Sequence, residues 1–280
     1  MKSLAFHQLD VFTDTPLRGN PLAVVHGADG LDEATMQAFA RWTNLSETTF
    51  LLAPTEPGAD YRVRIFTPVR ELPFAGHPTL GSCFAWLAAG GRPKAPGIVQ
   101  QCAAGLVRIR RDGDRLAFAA PPLRRSGPVE PAVLDRIARS LRIDTAAIRA
   151  SQWVDNGPGW VAVMLGSRAE VLAIVPDLAA MGDLEIGVVA PWPGIEADEP
   201  AQFEVRAFVP SVGVGEDPVT GSLNAGLAQW LIGAGLAPPR YVASQGTVLD
   251  RAGRVHVEQA GADIWIGGHT VTCIEGRVTL

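Results

Sequence analysis

Cysteine is scarce in this chain of 280 residues: Cys83, Cys102 and Cys273 are the whole complement. The number is odd and the spacings are wide, so no disulfide framework is indicated. There is no Cys-x-x-Cys pair and no Cys/His cluster, which removes the usual zinc sites. Reduced thiols in a cytoplasmic protein are the plain reading. Lysine is scarcer still, with only Lys2 and Lys94, so arginine carries nearly all the positive charge. An excess of that charge is missing too. The net charge of −5 argues against nucleic acid and acidic membrane surfaces as partners. The short clusters Arg108-Ile109-Arg110-Arg111 and Arg124-Arg125 fit solvated strand faces. No apolar run reaches the roughly 18 residues of a membrane span, and Met1–Asp10 lacks the layout of a signal peptide.

What is present is apolar material and an internal echo. Hydrophobic residues make up 47% of the chain, enough for real cores, and its length suits one large domain or two ordinary ones. The run Gly76-His77-Pro78-Thr79-Leu80-Gly81-Ser82 matches Glu216-Asp217-Pro218-Val219-Thr220-Gly221-Ser222 as [His/Asp]-Pro-x-x-Gly-Ser. Residues 77 and 217 differ by 140, half the chain. Upstream, Arg64-Ile65-Phe66-Thr67-Pro68 echoes Arg206-Ala207-Phe208-Val209-Pro210. Solenoid repeats run at about 20–50 residues, so this period implies a duplicated domain whose two copies face each other. In each copy a Pro sits where a helix begins, and its missing N–H costs nothing there. The residue before it is then expected at the N-cap, which places His77 and Asp217 at two helix mouths. A helix mouth offers unpaired N–H groups and partial positive charge, a setting for a carboxylate.

The rest of the chain reads mainly as strands. Strands are expected at 3–12, 22–25, from Glu47 on and at 61–66, with a helix over 32–42 where Met36, Phe39 and Ala40 share one face. Residues 78–89 and 218–234 are apolar almost all round, which predicts two buried helices wrapped by strands. Residues 97–110 and 115–119 predict a hairpin about Gly113, and 121–128 is rich in Pro and Gly, suiting a link between domains. Beyond it, 131–140 and 144–149 read as helix, 152–154 and 160–165 as strands, and 168–181 as helical pieces broken at Pro176. Strands at 185–190 and 202–209 flank a Pro-rich loop to residue 200, and four more follow between 241 and 279. The expected division is 1–122 for the N-terminal half, with the strand at about 268–280 returning to it, and 128–267 for the C-terminal half.

Three ionisable residues stand beside turns or helix starts. Glu47 enters an apolar strand behind Ser46, an unusual place for a carboxylate unless it is used or paired. Taken singly, each has a bland alternative: an edge carboxylate for Glu47, a structural histidine for His77, an N-cap for Asp217. Together they suit proton transfer at carbon, in which a general base removes a C–H proton and an acid returns one. N–H groups at Gly76 and Gly221 can hold the negative charge that develops. For Glu47 to act near neutrality its pKa must rise from about 4.3 toward about 6–7 by burial.

Gly19-Asn20-Pro21-Leu22-Ala23-Val24-Val25, Leu45-Ser46-Glu47-Thr48-Thr49-Phe50, Glu71-Leu72-Pro73-Phe74-Ala75-Gly76-His77-Pro78-Thr79 and Gly215-Glu216-Asp217-Pro218-Val219-Thr220-Gly221-Ser222 together resemble the PhzF-like isomerase family. Ser244-Gln245-Gly246 and Gly253-Arg254 fit it as well. The resemblance covers essentially the whole chain. It implies an α+β fold of the diaminopimelate-epimerase-like kind: two pseudo-symmetric halves, each a β-barrel-like sheet around a central buried helix. It also implies cofactor-independent isomerisation of a small cyclic carboxylate-bearing substrate in the inter-domain cleft, by a homodimer, without cofactor or metal. By motif, Glu47 resembles the general acid/base, His77 and Asp217 its supporting groups, and Ser46 and Ser222 substrate contacts. The thiol-dependent relatives of this fold carry Cys at the helix mouths, where this chain has His77 and Asp217. Two other readings stay open: an amino- or imino-acid epimerase or racemase using a carboxylate/histidine pair, and a non-catalytic small-molecule-binding protein on the same scaffold.

Overall fold

Alternating apolar residues start the first strand, β1 (Ser3–Val11), which pairs antiparallel with β2 (Asn20–Val25). The structure is a computed structural model and describes residues 1–192, 201–210 and 215–280; the Pro-rich loop expected up to residue 200 lies, from residue 193, outside the described residues. The chain divides into two units, Met1–Ala119 with Gly267–Leu280, and Ala120–Ile266.

In the first unit β2 leads through α1 (Glu33–Thr43) to β3 (Glu47–Leu52), which lies parallel to β2. The Asp32 carboxylate caps α1 by accepting from the Thr35 N–H at 2.7 Å, and Asn44 ends it at φ 54°, a left-handed conformation Asn tolerates. Met36, Phe39 and Ala40 are its buried face, as their spacing requires. Then come β4 (Tyr61–Phe66), the two-residue β5 (Glu71–Leu72), α2 (Gly76–Ala88), β6 (Ile98–Cys102), β7 (Gly105–Asp112) and β8 (Arg115–Ala119). The single strand expected over 97–110 is broken, because the chain turns at Gly105 with φ 112°.

The second unit contains β9 (Arg125–Gly127), α3 (Pro131–Leu141), β10 (Ala150–Asp155), β11 (Trp160–Met164), α4 (Arg168–Ala173), α5 (Leu178–Met181) and β12 (Glu185–Pro191). It continues with β13 (Phe203–Phe208), β14 (Glu216–Asp217), α6 (Gly221–Gly233), β15 (Arg240–Gln245), β16 (Gly253–Ala260) and β17 (Asp263–Gly268). Within the Pro/Gly-rich stretch, β9 pairs with β10. The helix expected at 144–149 is only a 3-10 turn, Thr145–Ala147, after which the backbone extends into β10. The last strand, β18 (Thr270–Thr279), lies antiparallel to β1 in the first unit.

The two units repeat one pairing scheme. β1–β2 antiparallel, β2–β3 parallel, β3–β4 and β4–β5 antiparallel, β4–β6 parallel and β6–β7 antiparallel are matched by β10–β11, β11–β12, β12–β13, β13–β14, β13–β15 and β15–β16. Each set of strands wraps one apolar helix, α2 or α6. This is the diaminopimelate-epimerase-like α+β architecture. The helices lie so close to their strands that side chains are excluded at one position in each. A Cβ on Gly81 would come within 2.5 Å of Leu22, and one on Gly226 within 2.3 Å of the Val154 carbonyl oxygen.

The structural repeat is not in the frame the sequence suggests. The equivalent residues around the helices differ in number by 145. Gly81 and Gly226 are one pair. Gln100 and Gln245 are another, both fully buried and bonded to the side chain of the fourth helical residue, Thr79 or Asn224. Thr79 and Asn224 each bond back to the N-cap carbonyl, of Ala75 or Thr220, at 2.9 Å. Glu71 and Glu216 take bidentate bonds from Arg64 and Arg206. In this frame His77 is equivalent to Ser222 and Asp217 to Leu72. The prolines mislead because neither is the first helical residue: Pro78 is the third residue of α2, and Pro218 precedes the Thr220 N-cap of α6.

Candidate active site

The first unit gathers Asn20, Ser46, Glu47 and His77. Asn20 opens β2 and Glu47 opens β3, two residues apart in the parallel register, in which Glu47 faces Leu22. His77 is the second residue of α2 and is 3% exposed. Its Nε2 stands 3.4 Å from Glu47 Oε2, and both atoms are buried. Burial drives the His77 pKa down to about 3, so the ring is a neutral imidazole through the neutral range. The contact therefore sets a neutral imidazole beside a carboxyl group and is no ion pair. On the ring's other side, Asn20 Nδ2 donates to His77 Nδ1 at 3.2 Å, and the Ser46 hydroxyl donates to Asn20 Oδ1 at 3.2 Å.

The second unit gathers Asp217, Thr220, Ser222 and Gln245. Asp217 lies in β14, four residues before α6, rather than at the N-cap position expected for it. Thr220 is the N-cap residue, and its hydroxyl donates to Asp217 Oδ2 at 2.6 Å. The direction is fixed because Gln245 Nε2 donates to the Thr220 oxygen at 2.9 Å, leaving the hydroxyl proton for the carboxylate. Gln245 holds this turn from both ends of its amide: Oε1 accepts from the Thr220 N–H and from Asn224 Nδ2, while Nε2 also donates to the Asp217 carbonyl. Ser222, second in α6, accepts from the indole N–H of Trp160 at 3.1 Å, so its own proton points elsewhere.

The two sets correspond and differ. Asn20 opens β2 and touches His77; Trp160 opens β11 and touches Ser222. Glu47 faces the third residue of β2, Leu22, and the same register position in the second unit, opposite Ala162, holds Gly187. The first unit thus carries the carboxylate and imidazole pair, and the second carries a hydroxyl at the helix start with Asp217 beside it. Gly76 and Gly221 are the first residues of α2 and α6, where N–H groups have no partner within the helix. Among the described residues no group of three or more His, Cys, Asp or Glu is placed to hold a metal. Sequence reasoning did not assign Asn20, Gln245, Thr220 or Trp160 to the site, although the first three lie in the motifs it used.

A family model described as phenazine biosynthesis-like protein (PhzC-PhzF) matches residues 9–276. The chain belongs to this family. Among its relatives, the Antisense-enhancing sequence 1 protein of Schizosaccharomyces pombe is 37% identical over 99% of each chain. The trans-2,3-dihydro-3-hydroxyanthranilate isomerase of Pseudomonas aeruginosa is 34% identical, over 97% of this chain and 98% of that one. A crystal structure of a PhzF-family protein from Enterococcus faecalis superposes with a TM-score of 0.80 at 27% identity, covering 100% of both chains. Several further relatives are also named isomerases, and this member of the phenazine biosynthesis-like family is an isomerase. None of its helices among the described residues is long and apolar enough to cross a membrane.

Proposed function

We propose that this isomerase moves a proton on a small cyclic carboxylate-bearing substrate without a cofactor, with Glu47 as the general acid/base. The observation that carries this reading is the 3.4 Å approach of Glu47 Oε2 to His77 Nε2, between two side chains with little exposure. The Glu47 carboxylate breaks a C–H bond next to the substrate's conjugated system and becomes a carboxylic acid, while the electron pair enters that system. The same acid then gives its proton to another carbon, the double bond moves, and the carboxylate is regenerated. His77, a neutral donor, steadies Glu47 and the charge that develops. Asp217 and Ser222 act on the substrate as supporting groups. The N–H groups at Gly76 and Gly221 hold its carboxylate, while the Ser46 hydroxyl proton goes to Asn20 Oδ1.

Thiol chemistry has no support: the helix starts carry His77 and Ser222, and burial pushes the Cys83 thiol up to about 12. The test uses trans-2,3-dihydro-3-hydroxyanthranilate, the substrate in the name of the Pseudomonas aeruginosa relative. In D₂O the ultraviolet spectrum should shift as the double bond moves, and deuterium should enter at carbon in the fraction of turnovers in which the Glu47 carboxyl exchanges with solvent before it returns its proton. An epimerase or racemase would instead leave the spectrum alone and invert a stereocentre of its substrate, changing the optical rotation. Deuterium gain that persists undiminished in Glu47→Gln would remove Glu47 from the mechanism.

A further inference from the structure

Asn20 is fully buried between Ser46 and His77. Its amide nitrogen, 3.2 Å from His77 Nδ1, can only donate, so that ring nitrogen must be a bare acceptor. A neutral imidazole has a single proton, which then sits on Nε2. The other side of the ring demands the same answer. Nε2 is buried 3.4 Å from Glu47 Oε2, and a nitrogen lone pair there would face a carboxylate oxygen. Turning the Asn20 amide over would set its oxygen against Nδ1, force the proton onto Nδ1 and create that repulsion. In the favourable sense Asn20 Oδ1 accepts from the Ser46 hydroxyl; a hydroxyl would accept from a turned amide as readily, so it is the Glu47 side of the ring that sets the sense.

We propose that Asn20 is a positioning residue: steadied by Ser46, it locks His77 as the Nε2–H tautomer. Glu47 Oε2 is thereby kept as an acceptor, and the proton that Glu47 takes and returns travels on Oε1. An Nδ1–H ring would instead offer Glu47 a lone pair and trap its proton on the oxygen facing the histidine. The assignment of the travelling proton rests on Glu47 being the acid/base; the tautomer does not.

Long-range ¹H–¹⁵N correlation of the imidazole rings in ¹⁵N-labelled protein reads the tautomer directly, with the His77 signals assigned by their loss in His77→Gln. The wild-type protein at neutral pH should show the Nε2–H pattern for His77. Asn20→Asp replaces a donor by an acceptor and should move the proton to Nδ1 or leave the ring doubly protonated, with loss of turnover. Ser46→Ala, a milder change should Asn20→Asp fail to fold, should give a mixture of tautomers. An Nδ1–H pattern in the wild type overturns the proposal, as does a His77 pattern unmoved by both substitutions or full turnover in folded Asn20→Asp. If the tautomer shifts as expected but Glu47→Gln turns over at the wild-type rate, the acid/base reading fails while the lock stands.

Discussion

Glu47 Oε2 lies 3.4 Å from His77 Nε2 in the first unit, whereas the register position of Glu47 in the second unit is occupied by Gly187. At the equivalent positions the second unit therefore does not repeat the Glu47–His77 pair. The predictions below follow from that asymmetry and from the packing that holds it.

Glu47→Gln keeps the side chain's size and removes its ability to take a proton. Turnover should fall by about 10²–10⁴-fold, the usual worth of a general acid/base. The midpoint of thermal unfolding should change little, since Glu47 sits at the start of β3. Steady-state rates and a melting curve on the same preparation check both halves.

Gly226→Ala should destabilise the protein by about 1–3 kcal/mol, as overpacking does. The new methyl would lie 2.3 Å from the Val154 carbonyl oxygen, a backbone atom that cannot swing aside. Gly233→Ala, near the open end of the same helix, meets nothing within 4 Å. It should be neutral or stabilising by up to about 1 kcal/mol, the difference in helix propensity. Urea unfolding of the two variants separates packing from propensity.

Acid should weaken the fold well above the carboxylate range. Burial lowers His77 to about 3, and burial followed by the neighbouring His7 lowers His26 to about 4. Unfolded imidazoles bind protons near pH 6.5, so below that pH the unfolded state holds more protons than the native state. Stability from these groups is complete above about pH 6.5 and is lost as pH falls toward the two depressed values. Unfolding free energies by urea should decline between pH 7 and pH 4, and His77→Gln should make that decline shallower.

Alkylation of thiols near neutral pH should leave turnover intact. Cys83 is fully buried and its pKa is pushed up to about 12, and burial raises Cys102 and Cys273 as well. Mass spectrometry after iodoacetamide treatment should find Cys273 the most readily modified, since it alone is not buried. Inactivation that tracks modification of Cys83 would point to thiol chemistry.

Local signals carried much of the fold into view. Alternation located β1 and β4, Thr and aromatic content located β3, the i, i+3, i+4 spacing of Met36, Phe39 and Ala40 located α1, and unbroken apolarity located the two central helices. The duplication was visible, but its frame was not. A strong local match, Pro-x-x-Gly-Ser, aligned His77 with Asp217, while the structural frame is set by contacts between distant elements such as Gln100 with Thr79 and Gln245 with Asn224. The family motifs drew attention to Glu47, His77, Asp217 and Ser222. Asn20 stayed hidden because a Gly-Asn-Pro run looks like a turn, and its bond to His77 spans 57 residues. Gln245 stayed hidden for a similar reason, as its partners are 21 to 28 residues away.

Gly187 has a neighbour that hinders one route of change. A Cβ at that position would fall 2.4 Å from the Leu223 side chain, in the first turn of α6. A carboxylate added there has to push the Leu223 side chain aside, and a smaller residue at 223 would make room for it. Engineering matched bases at the two equivalent register positions of this scaffold thus begins at residue 223, whose bulk weighs against the symmetric arrangement.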